Sequence, residues 1–213
     1  MFPRFIESLL GLLFPDHCAA CAATGSLLCA DCRGQLAPYT GGVARIANLD
    51  EVQIAYLYQS PVREAIHQLK YRRRRRVALP LGELLASHLR AYSGRVDAVI
   101  PIPMHAARRA ERGFNQTELL ATAATAIAGL TCMNAGLTRI RATEQQVHLD
   151  RRAREQNMHG AFAWQSTTHV PRRVILLDDV LTTGATMSAC AHALREAGCT
   201  EVYGLALARS LPK

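Results

Sequence analysis

The sequence predicts an α/β protein in which a mainly parallel sheet is flanked by helices and follows a small cysteine-rich unit. Short apolar, partly β-branched runs alternate with amphipathic helical stretches from Val96 onward, a pattern typical of parallel sheets. Four of the seven cysteines lie ahead of this alternation, within residues 18–32. We therefore expect an N-terminal unit over residues 1–40 and an α/β domain over residues 41–213.

The first half of the chain predicts two strands or strand-like runs and three helices. Residues 1–14 are apolar but contain Glu7 and lack a small-residue cleavage site, so we expect an amphipathic helix and not a signal peptide. Residues 51–58 alternate as a strand does, and a helix should follow from Ser60–Pro61, a good N-cap with proline at N1. Leucines on one face predict another helix over residues 80–91, and residues 96–100 read as a short buried strand.

The second half continues the alternation. A helix is expected over residues 115–128, a strand over residues 137–141 and a long functional loop or flap over residues 142–160, which is polar and lacks periodicity. Then follow a strand from Val174, a helix over residues 185–197 and a strand over residues 202–208. Ligands of parallel sheets bind at the carboxyl ends of the strands, so the residues after 100 and after 177 should share one edge.

Two Cys-x-x-Cys pairs predict a metal site in the N-terminal unit. Seven residues separate the pairs, a spacing that brings four thiolates within tetrahedral reach of one Zn²⁺ ion. Two disulfides or a redox dithiol are the alternatives, and His17 could replace one ligand. Because four ligands close the coordination sphere, we expect a structural zinc ribbon held by Cys18, Cys21, Cys29 and Cys32.

The net charge of the sequence indicates a class of ligand, and its hydropathy indicates a location. The formal net charge is +8, and only Lys70 and Lys213 among the basic residues are lysine. Such an excess suits an anionic ligand, nucleic acid included, although it could equally serve solubility. No apolar run approaches the roughly 20 residues that a transmembrane helix needs, so we expect no transmembrane segment and a cytoplasmic location.

The segment from Val174 to Thr186 is the most informative part of the chain. A buried strand should deliver Asp178 and Asp179 to its carboxyl end, and the following Thr/Gly loop should present backbone N–H groups at a helix N-terminus. Carboxylates that accept hydrogen bonds from sugar hydroxyls, beside a phosphate cradle, suit a phosphorylated sugar. A simple helix cap is the plainer alternative. The whole segment resembles the signature for phosphoribosyl pyrophosphate (PRPP) in type I phosphoribosyltransferases.

Six motifs in order make the chain resemble the ComF family across nearly its whole length. They are the four cysteines, Leu69–Tyr71, Pro101-x-Pro103, Arg112–Gln116, Arg154–Phe162 and Asp178–Thr186. The resemblance implies a zinc ribbon joined to a type I phosphoribosyltransferase fold, with a role in natural competence and DNA uptake.

The resemblance also implies a site. Asp178 and Asp179 would bind the ribose hydroxyls and help to position a Mg²⁺–pyrophosphate complex, and they are the catalytic candidates. The loop would enclose the 5′-phosphate, and Arg154 is a further candidate for pyrophosphate or acceptor contacts. The predicted PRPP-binding residues are Asp178, Asp179, Val180, Leu181, Thr182, Thr183, Gly184, Ala185, Thr186, Pro103, Met104, His105 and Arg112.

Five consecutive arginines form the nucleic-acid candidate. Like charges at this density repel, so we expect an exposed and partly disordered segment unless an anion neutralises it. A DNA backbone would do so through counterion release. The candidate residues are Arg72, Arg73, Arg74, Arg75 and Arg76.

Three functions are compatible with these patterns. The first is a PRPP-dependent transferase in which a nucleophile from an unidentified acceptor displaces pyrophosphate from C1. The second is a non-catalytic competence factor that handles single-stranded DNA alongside the DNA-uptake machinery. The third is a PRPP sensor that acts through a protein partner. The sugar-phosphate loop favours the first and third, and the arginine run favours the second.

Overall fold

A four-stranded, entirely parallel sheet forms the centre of the molecule. The computed structural model describes residues 15–141, 160–167 and 169–211. Across the sheet the strand order is β1-β6-β5-β2, and β3 and β4 pair separately as an antiparallel ribbon. In chain order the strands are β1 (Glu51–Leu57), β2 (Ala98–Pro101), β3 (Leu137–Arg139), β4 (Phe162–Trp164), β5 (Arg173–Leu181) and β6 (Glu201–Arg209).

Helices cover both faces of the sheet, as the sequence predicts. Apolar side chains of α2, α3 and α5 pack on one face of β5 and β6, and those of α6 pack on the other face together with β3 and β4. The predicted fold class, a mainly parallel sheet flanked by helices behind a four-cysteine cluster, is confirmed. The helices are α1 (Ala30–Gly34), α2 (Val62–Tyr71), α3 (Ala78–Arg90), α4 (Ala106–Arg112), α5 (Gln116–Ala128) and α6 (Ala185–Glu196).

The alternation of side chains along β5 decides which layer each carboxylate meets. Ile175 and Leu177 belong to the core on the side of α2, whereas Val174 and Leu176 belong to the core on the side of α6. Because successive strand residues point to opposite faces, Asp178 lies on the face of the sheet covered by α6, and Asp179 lies on the face covered by α2.

Register places two predicted site segments at the same edge. β2 and β5 pair in parallel with Pro101 opposite Leu177, and the N–H of Ile102 donates to the carbonyl of Leu177 over 2.9 Å. The residues that follow Pro101 therefore leave the sheet beside the acidic pair. This is the shared carboxyl edge that the sequence predicts.

Several predicted elements need correction. Helix α4 and strand β4 were not expected, and β3 ends at Arg139. Helix α3 begins at Ala78, before the expected start, and Pro61 and not Ser60 is the N-cap of α2. The loop or flap expected over residues 142–160 lies outside the described residues except for Gly160.

Candidate functional site

The acidic pair stands at the carboxyl end of β5. Asp179 is 4% exposed and Asp178 is half-buried. The backbone N–H of Asp179 donates to Asp178 Oδ1 over 2.8 Å, and the N–H of Val180 donates to Asp179 Oδ1 over 2.7 Å. These short local bonds hold both carboxylates at the strand end.

Lys70, the penultimate residue of α2, is the charged partner of the inner carboxylate. Its Nζ lies 2.6 Å from Asp179 Oδ2, and the two side chains are 17% and 6% exposed. Burial opposes the charged lysine, but the carboxylate of Asp179 beside it raises the pKa of Lys70 above its ordinary value. The sequence does not predict this contact, because no spacing rule connects a residue of α2 with the end of β5.

Asp178 has a different electrostatic environment. Burial and the neighbouring charge of Asp179 raise the pKa of Asp178 to about 7, although Lys70 acts in the opposite direction. A carboxyl group with this pKa exchanges its proton near neutral pH. Perturbed carboxyl groups of this kind are frequent at functional sites.

The loop after the acidic pair turns directly into α6. Gly184 is the N-cap of α6 with a φ of +84°, a left-handed conformation that side chains disfavour. Thr182 is exposed, Thr183 is half-buried, and the N–H of Ala185 donates to Thr183 Oγ1 over 3.3 Å. The loop thus meets the N-terminus of a 12-residue helix, where N–H groups attract anions.

Val180 and Leu181, two of the predicted PRPP-binding residues, have groups that are already used within the protein. The side chain of Leu181 is buried in the core, and the N–H of Val180 is already used by Asp179. The side chain of Leu181 is therefore not available to a ligand. Thr186, by contrast, is half-buried in the first turn of α6.

The Pro103–His105 loop is anchored beside the acidic pair. Asn115 Nδ2 and Thr117 Oγ1 both donate to the carbonyl of Ile102, over 3.1 and 2.7 Å. The three loop residues Pro103, Met104 and His105 are half-buried, and His105 Nδ1 caps α4 by accepting from the N–H of Ala107. The loop is thus held at both ends while its side chains keep partial access to solvent.

Arg112 ends α4 and contacts α2 instead of pointing freely into solvent. Its Nη1 donates to Gln116 Oε1 over 2.6 Å, and its guanidinium carbon lies 5.4 Å from the ring centroid of Tyr71. Tyr71 is the last residue of α2, so Arg112 packs against the end of the helix that carries Lys70. Arg154, the other arginine candidate, lies outside the described residues.

A cavity of about 420 Å³ adjoins the phosphate-type loop. Thr183 and Gly184 form one wall, and Arg45, Ser188 and His192 contribute polar groups. Its volume lies within the range of small-molecule pockets. Sequence analysis did not find it, because residues 45–48 come from a segment without a recognisable motif.

The four cysteines of the N-terminal unit form a compact cluster. Their sulfur atoms all lie within 4.8 Å of one another, and the Sγ atoms of Cys21 and Cys29 are 3.6 Å apart. Thiolates bound to zinc at about 2.3 Å lie roughly 3.8 Å apart, so the arrangement fits a tetrahedral zinc ion. His17 is not a member of this group, and all four thiols are free.

Local backbone donors favour a thiolate at Cys18. The N–H of Cys29 approaches Cys18 Sγ at 3.4 Å. Burial opposes ionisation, but N–H groups of Cys21, Cys29 and Ala20 together lower the pKa of Cys18 to about 6. A thiolate is the form that binds a metal ion, so the electrostatics agree with the geometry.

The arginine run is mostly exposed, as the sequence predicts, and most of its guanidinium groups contact other parts of the chain. Residues 75–77 form a 3-10 turn. Arg74 donates to the carbonyl of His17 over 2.6 Å, and Arg76 donates to Asp16 Oδ1 over 2.8 Å. These two guanidinium groups hold the N-terminal unit.

Two further arginines of the run, Arg73 and Arg75, contact the end of α4. Arg73 donates to the carbonyl of Glu111 over 2.7 Å, and Arg75 donates to that of Gly113 over 2.8 Å. The guanidinium of Arg75 also lies over the ring of Phe114. Carbonyl groups at a helix C-terminus carry partial negative charge, so they offset the repulsion that the sequence alone suggests.

Within the described ranges, none of the helices combines the length and the apolar character needed to cross a bilayer.

Comparison with known proteins identifies relatives over most of the chain. The DNA utilization protein YhgH of Salmonella typhimurium is 31% identical over 200 residues, which cover 92% of this chain and 83% of that protein. YhgH of Escherichia coli K12 is 33% identical over 159 residues, 72% of this chain and 70% of that protein. Competence protein F of Haemophilus influenzae is 35% identical over 116 residues, 54% and 51% of the two chains.

Solved structures give a weaker likeness. Glutamine phosphoribosylpyrophosphate amidotransferase from B. subtilis, complexed with ADP and GMP, matches 61% of this chain and 26% of its own, with 21% identity and a TM-score of 0.41. No protein-family model matches the chain. The relatives of known name nevertheless show that this chain belongs to the ComF family of competence and DNA utilization proteins.

Proposed function

We propose that this chain binds PRPP together with Mg²⁺ at the carboxyl edge of its sheet and serves the uptake or use of DNA. The observation that carries the proposal is the continuous arrangement of two carboxylates, a Thr/Gly loop and a helix N-terminus at one strand end. The names of the YhgH and competence protein F relatives support the role in DNA metabolism.

Each part of the edge suits one part of the ligand. N–H groups at the start of α6 would receive the 5′-phosphate, and Asp178 would accept hydrogen bonds from the ribose hydroxyls. Pro103–His105 would lie along the pyrophosphate. Carboxylate and pyrophosphate oxygens are the ligands that Mg²⁺ prefers, and the ion would neutralise charge on the pyrophosphate. The geometry of the cysteine cluster fits structural zinc, and we infer a cytoplasmic location.

Transfer of the phosphoribosyl group would follow from this arrangement. A nucleophile would form a bond to C1 while the bond to pyrophosphate breaks, through an oxocarbenium-like transition state. The chain would contribute by holding the sugar and by stabilising charge electrostatically. The acceptor substrate is unidentified. If the site binds PRPP without turnover, the protein would act as a PRPP sensor.

Titration calorimetry of Mg²⁺–PRPP tests the site directly. We expect binding to the wild type and a loss of at least about 100-fold in affinity for Asp178→Asn/Asp179→Asn, because two hydrogen bonds from ribose hydroxyls to the Asp178 carboxylate, worth about 1.5–3 kcal/mol each, are lost. Glu196→Gln is the matched control, since this exposed carboxylate lies at the far end of α6. Equal affinity of the wild type and the double variant would refute the assignment.

Single-stranded DNA binding is the second candidate function. Tyr71, 62% exposed, adjoins the five arginines, and an aromatic ring beside a basic stretch is a common combination in proteins that bind single strands. The contacts of Arg73 to Arg76 with backbone carbonyls and Asp16 leave Arg72 without a partner among the described side chains.

Fluorescence anisotropy with a labelled oligonucleotide tests this candidate. We expect Arg72→Gln/Arg76→Gln to weaken binding and to reduce the slope of log affinity against log salt by about 0.7 for each phosphate contact removed. Arg63→Gln, which removes an exposed charge from α2, serves as the control. An unchanged salt slope in Arg72→Gln/Arg76→Gln would exclude the run as a DNA contact.

A further inference from the structure

Lys70 and Asp179 form a buried ion pair near the carboxyl end of β5. Lys70 Nζ and Asp179 Oδ2 are 2.6 Å apart, and both side chains are almost fully shielded from solvent. Removing one partner of such a pair leaves an uncompensated buried charge, which is strongly unfavourable. The pair is therefore a fixed part of the strand end.

Both oxygens of Asp179 are engaged inside the protein. Oδ2 faces Lys70, and Oδ1 accepts the N–H of Val180. Asp178 lies on the other side of β5 and is more accessible. The two adjacent carboxylates are thus unequal: Asp179 is an internal group, and Asp178 is the one that presents an oxygen to a ligand.

The unequal environments of Asp178 and Asp179 affect the negative charge that PRPP would meet at the strand end. PRPP carries a 5′-phosphate and a pyrophosphate, so two uncompensated carboxylates beside it would repel the ligand. The ammonium of Lys70 neutralises one of them and leaves Asp178 as the carboxyl group of the pair without a cationic partner at 2.6 Å. Because the pair is buried, salt screens this compensation less than it screens a surface ion pair.

We propose that Lys70 is a positioning residue of the PRPP site, which fixes and neutralises Asp179 so that Asp178 alone receives the sugar hydroxyls. The inference rests on the proposed function. It makes Lys70 act through Asp179 and assigns it no contact with the ligand.

Calorimetric titration of Mg²⁺–PRPP into Lys70 variants tests the inference. Lys70→Met should lower the affinity at least about tenfold, since the buried ion pair that holds Asp179 is lost. Lys70→Arg should recover affinity to within about fivefold of the wild type, because it restores the positive charge. Arg63→Met, which removes a charge from the exposed side of the same helix, should leave the affinity unchanged.

A double-mutant cycle separates positioning from direct contact. If Lys70 acts through Asp179, adding Lys70→Met to Asp179→Asn should change the affinity less than about twofold. This double variant also lacks the uncompensated buried carboxylate, so it keeps the test open if Lys70→Met alone does not fold. An equal loss in both backgrounds, or unchanged affinity in folded Lys70→Met, would overturn the inference while wild-type binding still upheld the proposed function. Absence of binding to the wild type would overturn both.

Discussion

Replacing Cys29 and Cys32 together by serine is expected to abolish zinc binding and to unfold the N-terminal unit. The apolar core of this unit is small: its buried members are Cys18, Leu28 and Cys32. Structural zinc supplies on the order of 10 kcal/mol in isolated zinc fingers, far more than such a core can provide. We expect the variant to lose one equivalent of zinc and to become sensitive to trypsin at Arg33.

Metal analysis and limited proteolysis measure these two effects. Cys132→Ser is the matched control, since this half-buried thiol lies outside the cluster and should leave the zinc content unchanged. Retention of a full equivalent of zinc in Cys29→Ser/Cys32→Ser would show that the cluster is not the metal site. A resistant but zinc-free variant would show that the unit folds without metal.

Replacing Gly184 by valine is expected to damage both stability and ligand binding. A side chain at φ +84° costs about 1–2 kcal/mol from backbone strain alone. The new Cβ would also lie 2.6 Å from Cδ1 of Ile46, so the Ile46 side chain or the loop must shift. We expect a total destabilisation of about 2–4 kcal/mol, measured by urea unfolding, and at least a tenfold loss of affinity for PRPP.

Gly129→Val is the control that introduces backbone strain at a positive φ without a steric clash of the new side chain. Gly129 has a φ of +71° at the end of α5, and a Cβ there would meet no atom within 4 Å. It should therefore lose only the strain energy, about 1–2 kcal/mol, and bind PRPP as the wild type does. If Gly184→Val bound PRPP with unchanged affinity, the loop would not be the phosphate cradle.

The elements predicted best from the sequence are those whose hydrophobic pattern reflects their packing in the sheet. The run from Val174 to Leu177 is apolar because both faces of β5 are covered by helices, and parallel strands of this kind read as continuous hydrophobic segments. The placement of Pro103–His105 beside the acidic pair followed from the parallel arrangement of β2 and β5 alone.

Helix α4 could not be predicted from periodicity. None of its seven residues is buried, so it has no apolar face to detect. It is defined by its ends: His105 caps its first turn, and Gly113 adopts a left-handed conformation after its last residue. Strand β4, three residues long, exists because it pairs with β3.

The contacts of the arginine run and of Lys70 could not be read from the sequence, for a related reason. Repulsion among five guanidinium groups can be read from the sequence, but the carbonyls of His17, Glu111 and Gly113 that receive them come from distant segments. Likewise, a single lysine near Tyr71 gives no sign that it will meet a carboxylate at the end of β5. Tertiary partners decide both cases.

The strand order has a consequence for how the chain can be made. β1 and β2 occupy the two outer positions of the sheet, and the strands between them, β5 and β6, are the last to be synthesised. The first two strands therefore cannot join a common sheet until translation has passed Arg209. A ribosome stalled after β4 would carry exposed apolar strands, a state prone to aggregation and in need of chaperones.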